Sequence, residues 1–348
     1  MSGARGWRIL AGASREQAPM VSLFWINYNS IHVIEYVKRS LDKLLALDYP
    51  NYEVIVVDNG STDGSREILE EHLRAVARSQ EVRFVKLSRN FGFTGGANIA
   101  YRLRDRGSKY VGIVNNDAIP RSDYLKHLVD FMEKHDDVGA VQGIVLRMNS
   151  FRIDSAGGFV DDELRVYFPF VGKHAKIIHK PIYVSYVEGT MPLYRVEAIK
   201  RALGEDNSMY VSAGFLYYLE DVFLSLMLWN HNYKNVVVPV IAGEHYRSAT
   251  LKKYRTQIRL DYYRLRNRLA LLHMTNSRGK VKAILRILRG IYLSKAGFKE
   301  RGNRLKALFD ALRLGEQLRR KYGVINLYKA PLWRVGLKET ILSWLTLK

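Results

Sequence analysis

Short apolar segments alternate with helical patterns through the first third of the chain, and this alternation restricts the fold more than any other feature. Four segments have the length and apolar character of buried strands: Met20 to Ile26, Glu53 to Val57, Val82 to Leu87 and Tyr110 to Val114. Between them, apolar residues recur at helical spacing, as at Val37, Leu41 and Leu44. Strands that alternate with helices predict an α/β domain with a doubly wound parallel sheet.

The rest of the chain has a less regular pattern. Further strands are predicted at Val138 to Leu146, Ile182 to Val187 and Val236 to Ile241, and a helix at Phe215 to Asn230. From about Tyr254 onward the pattern predicts helices only. We therefore divide the chain into an N-terminal extension (1–19), a main domain (20–250) and a basic helical region (251–348).

Polar residues follow three of the predicted strands. They are Tyr28 and Asn29, then Asp58, then Asn115, Asn116 and Asp117. Because ligands of doubly wound sheets bind beyond the carboxyl ends of the strands, we expect these clusters to meet in one site.

Two interpretations stay open for the acids in these clusters. A carboxylate such as Asp117 at a strand end can hold a hard divalent cation, yet Asn and Asp are also favoured in simple turns. Asp58 is either an acceptor for a base or ribose, or part of a loop in which Ser61 or Thr62 caps the next helix.

A glycine-rich segment from Asn90 to Asn98 is predicted to be a loop that runs into a helix. Glycines before a helix let backbone amides approach a phosphate or a sugar closely. The glycine spacing differs from that of a dinucleotide fingerprint, and no Gly-Lys-Ser/Thr follows as in a Walker A loop. The segment therefore indicates a ligand-binding loop of another kind.

Glu220 and Asp221 lie in an otherwise mostly apolar stretch from Phe215 to Leu228. Acids buried among apolar side chains are costly, and one of them can act as a general base that deprotonates a hydroxyl. The alternative is a solvated helix start, where the helix dipole favours acids. His245 becomes a candidate metal ligand only if the fold places it beside Asp117.

The C-terminal region carries almost all of the net charge of +21. Residues 250–348 contain 25 Lys and Arg against 5 Asp and Glu, whereas residues 1–249 contain 30 against 29. Basic amphipathic stretches at 281–292 and 305–312 suit either an anionic membrane surface or packing on the main domain or in a homodimer. The last stripe, formed by Trp333, Leu337, Ile341 and Trp344, favours the membrane.

Several classes of protein are excluded by what the sequence lacks. Without cysteine, the chain has no disulfides and no thiolate metal site. No run approaches the ~20 apolar residues of a membrane span, so we expect any membrane contact to be peripheral. No nucleic-acid motif accompanies the basic charge, and nucleic acid is not expected as a partner.

Taken together, these motifs resemble the family 2 glycosyltransferases with the A-type fold, in particular their rhamnosyl- and galactosyltransferase-like branch. The matching stretches are Ile26 to Asn29, Val56 to Gly64, Asn90 to Asn98, Asn115 to Asp117, Ala156 to Gly158, Gly189 to Met191, Tyr218 to Asp221, His245 with Ser248, and Tyr263 to Asn267. The resemblance extends from about Val21 to Gly323. It implies a Rossmann-like nucleotide-diphospho-sugar transferase fold and makes residues 20–250 the catalytic domain.

The resemblance also implies a role for each matching residue. Asp117 and His245 would bind Mg²⁺ or Mn²⁺, and Asp221, with Glu220 beside it, would supply the general base. A single in-line displacement would invert the anomeric carbon without a covalent intermediate. The residues expected to bind the nucleotide-sugar are Tyr28, Asn29, Asp58, Asn90, Gly95, Gly96, Asn98, Asn115 and Asn116.

Some positions depart from the family pattern. Phe223 and Met227 stand where an acid and an arginine are usual, and Val211-Ser212-Ala213 replaces a Phe-Asp-Glu element. Asn115 and Asn116 stand where acids are common in the metal motif, a replacement familiar in this branch. The identities of donor and acceptor therefore stay open.

The resulting hypothesis is an inverting, metal-dependent hexosyltransferase of polysaccharide biosynthesis. It would take a UDP-, dTDP- or GDP-sugar and a lipid-linked or cell-envelope glycan acceptor, in the cytoplasm at the inner face of the cell membrane. One alternative is a polyprenyl-phosphate sugar synthase. The others are a nucleic-acid-binding protein on a nucleotide-binding scaffold and a non-catalytic nucleotide-sugar binder.

Overall fold

The computed structural model describes residues 4–9, 18–76, 81–211, 218–246, 260–293 and 298–334. Several predicted features lie outside these residues. They are Ser212, Ala213, Ser248, the start of the helix predicted from Phe215, and Leu337, Ile341 and Trp344 of the last apolar stripe.

The strands are β1 (Ala4–Ile9), β2 (Val21–Asn27), β3 (Tyr52–Asp58), β4 (Glu81–Leu87), β5 (Tyr110–Asn115), β6 (Ala118–Pro120), β7 (Val138–Arg147), β8 (Ile153–Ser155), β9 (Phe159–Val160), β10 (Val166–Tyr167), β11 (Ile182–Tyr183), β12 (Pro192–Arg195) and β13 (Lys234–His245). The α-helices are α1 (Ile34–Leu45), α2 (Ser65–Val76), α3 (Gly92–Leu103), α4 (Tyr124–Glu133), α5 (Val196–Leu203), α6 (Glu220–Asn230), α7 (Leu260–Met274), α8 (Lys280–Leu293) and α9 (Phe298–Tyr322). Short 3₁₀ helices lie at Ile31–Val33, Ala175–Ile177 and Leu327–Lys329.

The main sheet has the strand order β1-β4-β3-β2-β5-β12-β7-β13-β11. Strands β4, β3, β2 and β5 run parallel, as predicted. Beyond β5 the sheet is mixed, and the expectation of a wholly parallel sheet is wrong there: β12 inserts antiparallel between β5 and β7, whereas β13 pairs parallel with β7. β1, which lies within the predicted N-terminal extension, pairs antiparallel with β4. A strand as short as β12 leaves no periodicity in the sequence from which its direction could be read.

Both faces of the parallel half are covered, which explains its continuous apolar strands. Successive residues of β2 alternate between two cores: Phe24 packs on the side of α3, and Leu23 and Trp25 pack on the side of α1 and α2. The sheet is therefore fixed from both sides, and its polar strand ends are held in position.

The C-terminal helices α7 and α9 pack into the core that also holds α6. Gly315 of α9 lies so close to α7 that a Cβ atom would come within 2.7 Å of the Ala270 carbonyl oxygen. The stretches at 281–292 and 305–312 each divide into two sides. Ala283, Ile291, Ala307 and Leu308 are buried, while other apolar residues of both helices remain exposed. Among the described residues, no helix combines the length and apolar character needed to cross a membrane.

Candidate active site

Asn27, the last residue of β2, joins the polar clusters at the strand ends. Its side chain is buried and donates to Asp58 Oδ2 over 3.2 Å. Its Oδ1 accepts from Asn116 Nδ2 over 3.1 Å. The structure thus brings the ends of β2, β3 and β5 to one edge of the sheet. Sequence reasoning did not select Asn27, although it lies within the matching stretch Ile26 to Asn29.

Asp58 is fully buried and bound by protein groups. Its Oδ1 accepts from the Ser61 amide over 3.0 Å and from Arg66 Nε over 2.9 Å. Asn29, with a φ of 47°, accepts from the Thr62 amide over 2.8 Å. Tyr28 beside it is half-buried. Asp58 and Asn29 therefore hold the loop after β3 in a fixed shape, and their contact with a base or ribose stays a prediction.

The glycine-rich segment differs from the loop that was predicted, because helix α3 already begins at Gly92. Asn59 fixes this start: its Oδ1 accepts from the Phe91 amide over 3.0 Å, and its Nδ2 donates to the Gly92 carbonyl over 2.9 Å. Asn90 accepts from the Gly92 amide over 2.7 Å. The side chains of Asn59 and Asn90 thus bind the backbone around Gly92, and the segment is helical where a loop was expected.

Gly95 and Gly96 lie in the first turns of α3, where they permit close packing. A Cβ atom on Gly96 would lie 3.2 Å from Ile26 Cγ2 on β2, and one on Gly95 would lie 2.7 Å from Phe91 Cβ. Gly96 therefore lets the start of α3 approach the end of β2, and Gly95 leaves room for the side chain of Phe91.

The side chain of Asn98 is hydrogen-bonded to the backbone of the segment that contains Met209 and Tyr210. Its Oδ1 accepts from the amides of Met209 and Tyr210 over 3.1 and 2.9 Å, and its Nδ2 donates to the Tyr210 carbonyl over 2.7 Å. The side chain is 1% exposed. These contacts assign Asn98 a structural part, while the predicted contact with the donor stays a prediction.

His245 lies directly beside Asp117. The two are adjacent because β13 pairs with β6 so that His245 is opposite Ala118. His245 Nε2 is 2.9 Å from Asp117 Oδ1, and Nδ1 is 2.9 Å from Asp154 Oδ2. Burial opposes the charged imidazole, but the hydrogen bonds to both carboxylates outweigh it and raise the pKa of His245 to about 9. Asp154 was not selected from the sequence, although it stands two residues before the matching stretch Ala156 to Gly158.

Asp117 and His245 fit a divalent cation only in part. Among the described residues, no group of three or more His, Cys, Asp or Glu side chains could hold a metal ion. Mg²⁺ commonly takes one or two carboxylates from the protein and completes its shell with substrate phosphates and water. Asp117 Oδ1 and His245 Nε2, which are hydrogen-bonded to each other, would be suitable donors for such an ion, with a diphosphate supplying further oxygens.

Glu220 and Asp221 are the first two residues of helix α6, and both are half-buried. Asp221 Oδ1 accepts from the Val222 amide over 2.8 Å, and Oδ2 accepts from the Gly189 amide over 3.3 Å. Burial raises the pKa of the Asp221 carboxyl. Burial and then the adjacent Asp221 carboxylate raise the pKa of Glu220. Carboxyls of this kind are suited to proton transfer near neutral pH.

The turn before α6 is strained. Tyr218 and Leu219 have φ values of 66° and 68°, a region that non-glycine residues rarely occupy. Helix α7 holds this turn, because Asn267 donates to the Tyr218 carbonyl over 2.9 Å and Arg264 donates to the Tyr218 hydroxyl over 3.1 Å. Residues of the matching stretch Tyr263 to Asn267 thus position the start of α6.

A cavity of about 460 Å³ opens beside Asp221 and Glu220. Glu188 lies on its wall, and three arginines face it: Arg165, Arg264 and Arg268. Asp117 and His245 are not among the described residues that line it.

One short segment connects Asp221 with the end of β5. The Gly189 amide donates to Asp221, and the carbonyl of the next residue, Thr190, accepts from the Asn115 amide over 3.1 Å. Consecutive Cα atoms are about 3.8 Å apart. The candidate base and the Asn115–Asp117 cluster are therefore attached to neighbouring residues of the same segment.

Comparison with known proteins gives the family to which the chain is similar. The family model described as glycosyl transferase family 2 matches residues 22–203. An uncharacterized glycosyltransferase of Haemophilus influenzae is 29% identical over 126 residues, which are 36% of this chain and 36% of that protein. The putative teichuronic acid biosynthesis glycosyltransferase TuaG of Bacillus subtilis is 29% identical over 114 residues, 33% of this chain and 42% of TuaG. The chain thus matches well under two thirds of the length of each relative.

Among solved structures, residues 1–349 of TarS from S. aureus in complex with UDP-GlcNAc superpose with a TM-score of 0.52. The two are 19% identical, and the match covers 87% of this chain and 83% of that one. These findings confirm the α/β fold of the A-type glycosyltransferases that the sequence predicted.

Proposed function

Because this chain belongs to glycosyl transferase family 2, we propose that it transfers a hexosyl group from a nucleotide-sugar to a hydroxyl of a glycan or lipid-linked acceptor, with inversion. One observation carries the proposal. The Asp221 carboxyl, whose pKa is raised by burial, lies at a 460 Å³ cavity and is held by the segment that also contacts the end of β5.

The donor would bind at the edge where β2, β3 and β5 end. Tyr28, Asn29 and Asp58 would surround the base and ribose, and the end of β5 would face the diphosphate. The superposition with TarS, whose structure contains UDP-GlcNAc, supports a UDP-sugar, with dTDP- and GDP-sugars as further candidates.

Asp117 and His245 are the residues that would hold Mg²⁺ or Mn²⁺. When bound there, the ion would neutralise charge on the departing diphosphate. Asp154 keeps the imidazole of His245 oriented through its 2.9 Å contact with Nδ1.

Asp221 would accept the proton of the acceptor hydroxyl. The acceptor oxygen then bonds to the anomeric carbon while the bond from that carbon to the diphosphate oxygen breaks, and the configuration inverts in this one step. Glu220 has its pKa raised both by burial and by Asp221, so it tends to keep its proton when Asp221 has lost its own. The pair therefore offers one base rather than two.

We place the acceptor near an anionic membrane because of the exposed sides of α8 and α9. Their exposed apolar residues are Val281, Leu285, Leu288, Tyr292, Leu305, Phe309 and Leu312. Exposed basic residues such as Arg289, Lys306 and Arg313 flank them. Apolar residues framed by cations match an anionic lipid surface, where each cation contributes about 1 kcal/mol.

The catalytic proposal is tested by nucleotide release from UDP-, dTDP- and GDP-sugars with Mg²⁺ or Mn²⁺ present. Asp117→Ala and Asp221→Ala are both expected to lose most of the activity on the preferred donor. Wild-type rates for both variants would refute the assignment.

Membrane docking is tested by flotation with vesicles that contain anionic lipid. The double variant Leu285→Glu and Phe309→Glu is expected to stay unbound. The double variant Phe151→Glu and Ile177→Glu, which places the same two charges at exposed apolar residues elsewhere, is the matched control and should float like the wild type. Equal flotation of the first double variant would exclude this face as the docking surface, and a loss of dimers instead would assign it to self-association.

A further inference from the structure

The cavity beside Asp221 is lined by three arginines and by three carboxyls, those of Glu188, Glu220 and Asp221, and one of the arginines, Arg268, has no ion pair among the described residues. Arg165 precedes β10, and Arg264 and Arg268 lie on α7. We propose that this cavity binds an acceptor that carries an oxyanion, either a phosphate ester or a carboxylate, close to the hydroxyl that receives the sugar. The inference rests on the proposed function, since it takes Asp221 as the base that faces the acceptor.

Arg268 is the central observation. It lines the cavity, and the described residues offer it neither an ion pair nor a hydrogen bond; its Nε is buried without a partner. The adjacent Asn267 is fully buried and bound to the Tyr218 carbonyl over 2.9 Å, which fixes this part of α7. A guanidinium on a fixed turn of α7, without a counter-ion among the described residues, is a suitable site for an anion.

The two acids that attract Arg268, Asp161 and Glu163, are ion-paired with other cations. Asp161 accepts from Arg165 Nε over 2.7 Å. Glu163, with no exposed surface, is 3.0 Å from Arg286 and 3.5 Å from Lys282. Asp161 and Glu163 are therefore already paired with Arg165, Arg286 and Lys282.

The electrostatics of the guanidinium agree with this geometry. Burial lowers the pKa of Arg268 despite the attraction of Glu163 and Asp161, and Arg165 and Arg286 lower it further. An oxyanion at hydrogen-bond distance would stabilise the charged guanidinium, because the anion replaces the water that burial removes.

The anion expected here is distinct from the diphosphate of the donor. None of the described residues that line the cavity belongs to the set expected to bind the nucleotide-sugar or the metal. The proposed base and the arginines instead line the same cavity, so the anion would sit on the molecule that Asp221 deprotonates. Arginine is suited to this task because its planar fork can bind two oxygens of a phosphate or carboxylate at once.

The test is a ligand-observed NMR titration of the full chain at low salt. The probes are glycerol 3-phosphate and glucuronate, with glycerol and glucose as their neutral counterparts. Wild-type protein is expected to bind at least one anionic probe and neither neutral one. The tighter of the two anions identifies the class, phosphate ester or carboxylate.

Arg268→Gln is expected to weaken binding of that probe about tenfold or more, the usual effect of losing a charged hydrogen bond. Arg268→Lys, which keeps the charge but loses the fork, should fall between Gln and wild type. Arg313→Gln removes an equal charge from an exposed position of α9 and should change binding less than about twofold.

Equal losses in Arg268→Gln and Arg313→Gln would reduce the effect to net charge and overturn the proposal, as would no detectable binding of either anion. Should Arg268→Gln fail to fold, Arg264→Gln serves in its place. The measurement needs no turnover, so its failure is distinguishable from a failure of the transferase assignment.

Discussion

The two sides of the candidate site differ in how far their buried polar side chains are hydrogen-bonded within the protein. On the side proposed to bind the nucleotide, called the nucleotide side and formed by the ends of β2, β3 and β5 and the start of α3, the buried polar side chains Asn27, Asp58 and Asn59 are bound to other protein groups. On the cavity side, formed by the start of α6 and by α7, two carboxyls have raised pKa values, and Arg268 has no hydrogen-bond or ion-pair partner among the described residues.

This difference separates shape from reactivity. Satisfied polar networks make a rigid surface at little cost, which suits recognition of a constant nucleotide. Charged groups held in a partly buried cavity cost free energy until a ligand or a proton joins them. Substitutions on the nucleotide side should therefore reduce stability, whereas substitutions on the cavity side should reduce activity or binding and leave stability equal or higher.

The largest expected effect lies on the cavity side. Asp221→Asn removes the base but keeps the size of the side chain, and it should lower the rate of transfer about 10³-fold, within the usual range for a general base. Glu220→Gln at the adjacent position should cost less than about tenfold, because Glu220 is the carboxyl that keeps its proton. Single-turnover transfer with saturating donor measures both.

The same experiment can reverse the assignment of the two acids. If Glu220→Gln loses the larger factor, Glu220 is the base and Asp221 only holds the Gly189 amide. An unchanged melting temperature in Asp221→Asn would separate loss of chemistry from loss of folding.

The next effect is on stability and lies on the nucleotide side. Asp58→Asn breaks a fully buried carboxylate's contact with Arg66, whose side chain is 26% exposed. It should reduce the free energy of unfolding by about 3 kcal/mol, since it leaves the arginine without its counter-charge. Asp130→Asn, at an exposed helical pair with Lys126, should cost less than about 1 kcal/mol.

Urea unfolding, with the slope compared between variants, measures both changes. A cost for Asp58→Asn as small as that for Asp130→Asn would show that the buried network is not what holds the nucleotide side.

Asn98→Ala distinguishes a structural from a ligand-binding asparagine. It leaves the Met209 and Tyr210 amides and the Tyr210 carbonyl without their partner. It should lower the free energy of unfolding by about 2 kcal/mol, the cost of unsatisfied buried groups. Asn98→Asp keeps the acceptor oxygen and should lose less.

The KM for the donor should stay within about twofold in Asn98→Ala, since the contacts of Asn98 lie within the protein. A large rise in KM with unchanged stability would instead support the donor contact that the sequence resemblance implies.

The parallel half of the fold could be predicted from the sequence because each of its strands is a continuous apolar run. β2, β3, β4 and β5 were all placed within about two residues of their observed bounds. Strands β8, β9, β10 and β12 were not predicted, since segments of two to four residues carry no period. Their positions depend on long-range pairing, as in the insertion of β12 between β5 and β7.

Some residues of the candidate site could likewise be predicted from the sequence and others could not. Asp221 could be selected because an acid in an apolar run is costly to bury, and Asp58 and Asp117 because they follow predicted strands of a doubly wound sheet, where ligands bind. Asp154 and Arg268 could not be selected, because their roles depend on contacts between distant parts of the chain. Asp154 contacts His245, and Arg268 lacks a counter-ion among the described residues. A lone Asp and one Arg in a basic helix have no local signature.

The smallest expected effect concerns stability on the cavity side and depends on pH. Burial and the Asp221 carboxylate raise the pKa of Glu220 above its ordinary value of 4.5. Below that value, Glu220 is protonated in both the folded and the unfolded chain. As the pH rises, the unfolded chain loses this proton first, so the folded state loses relative stability until the pH passes the raised pKa.

Glu220→Gln cannot ionise and escapes this loss. Its melting temperature should match the wild type near pH 4.5 and exceed it by a few °C at about pH 9. Glu71→Gln, at an exposed position of α2, should show the same small difference at both values. A lower melting temperature for Glu220→Gln at the alkaline pH would mean that the ionised carboxyl stabilises the fold, and the contrast between the two sides would then no longer hold.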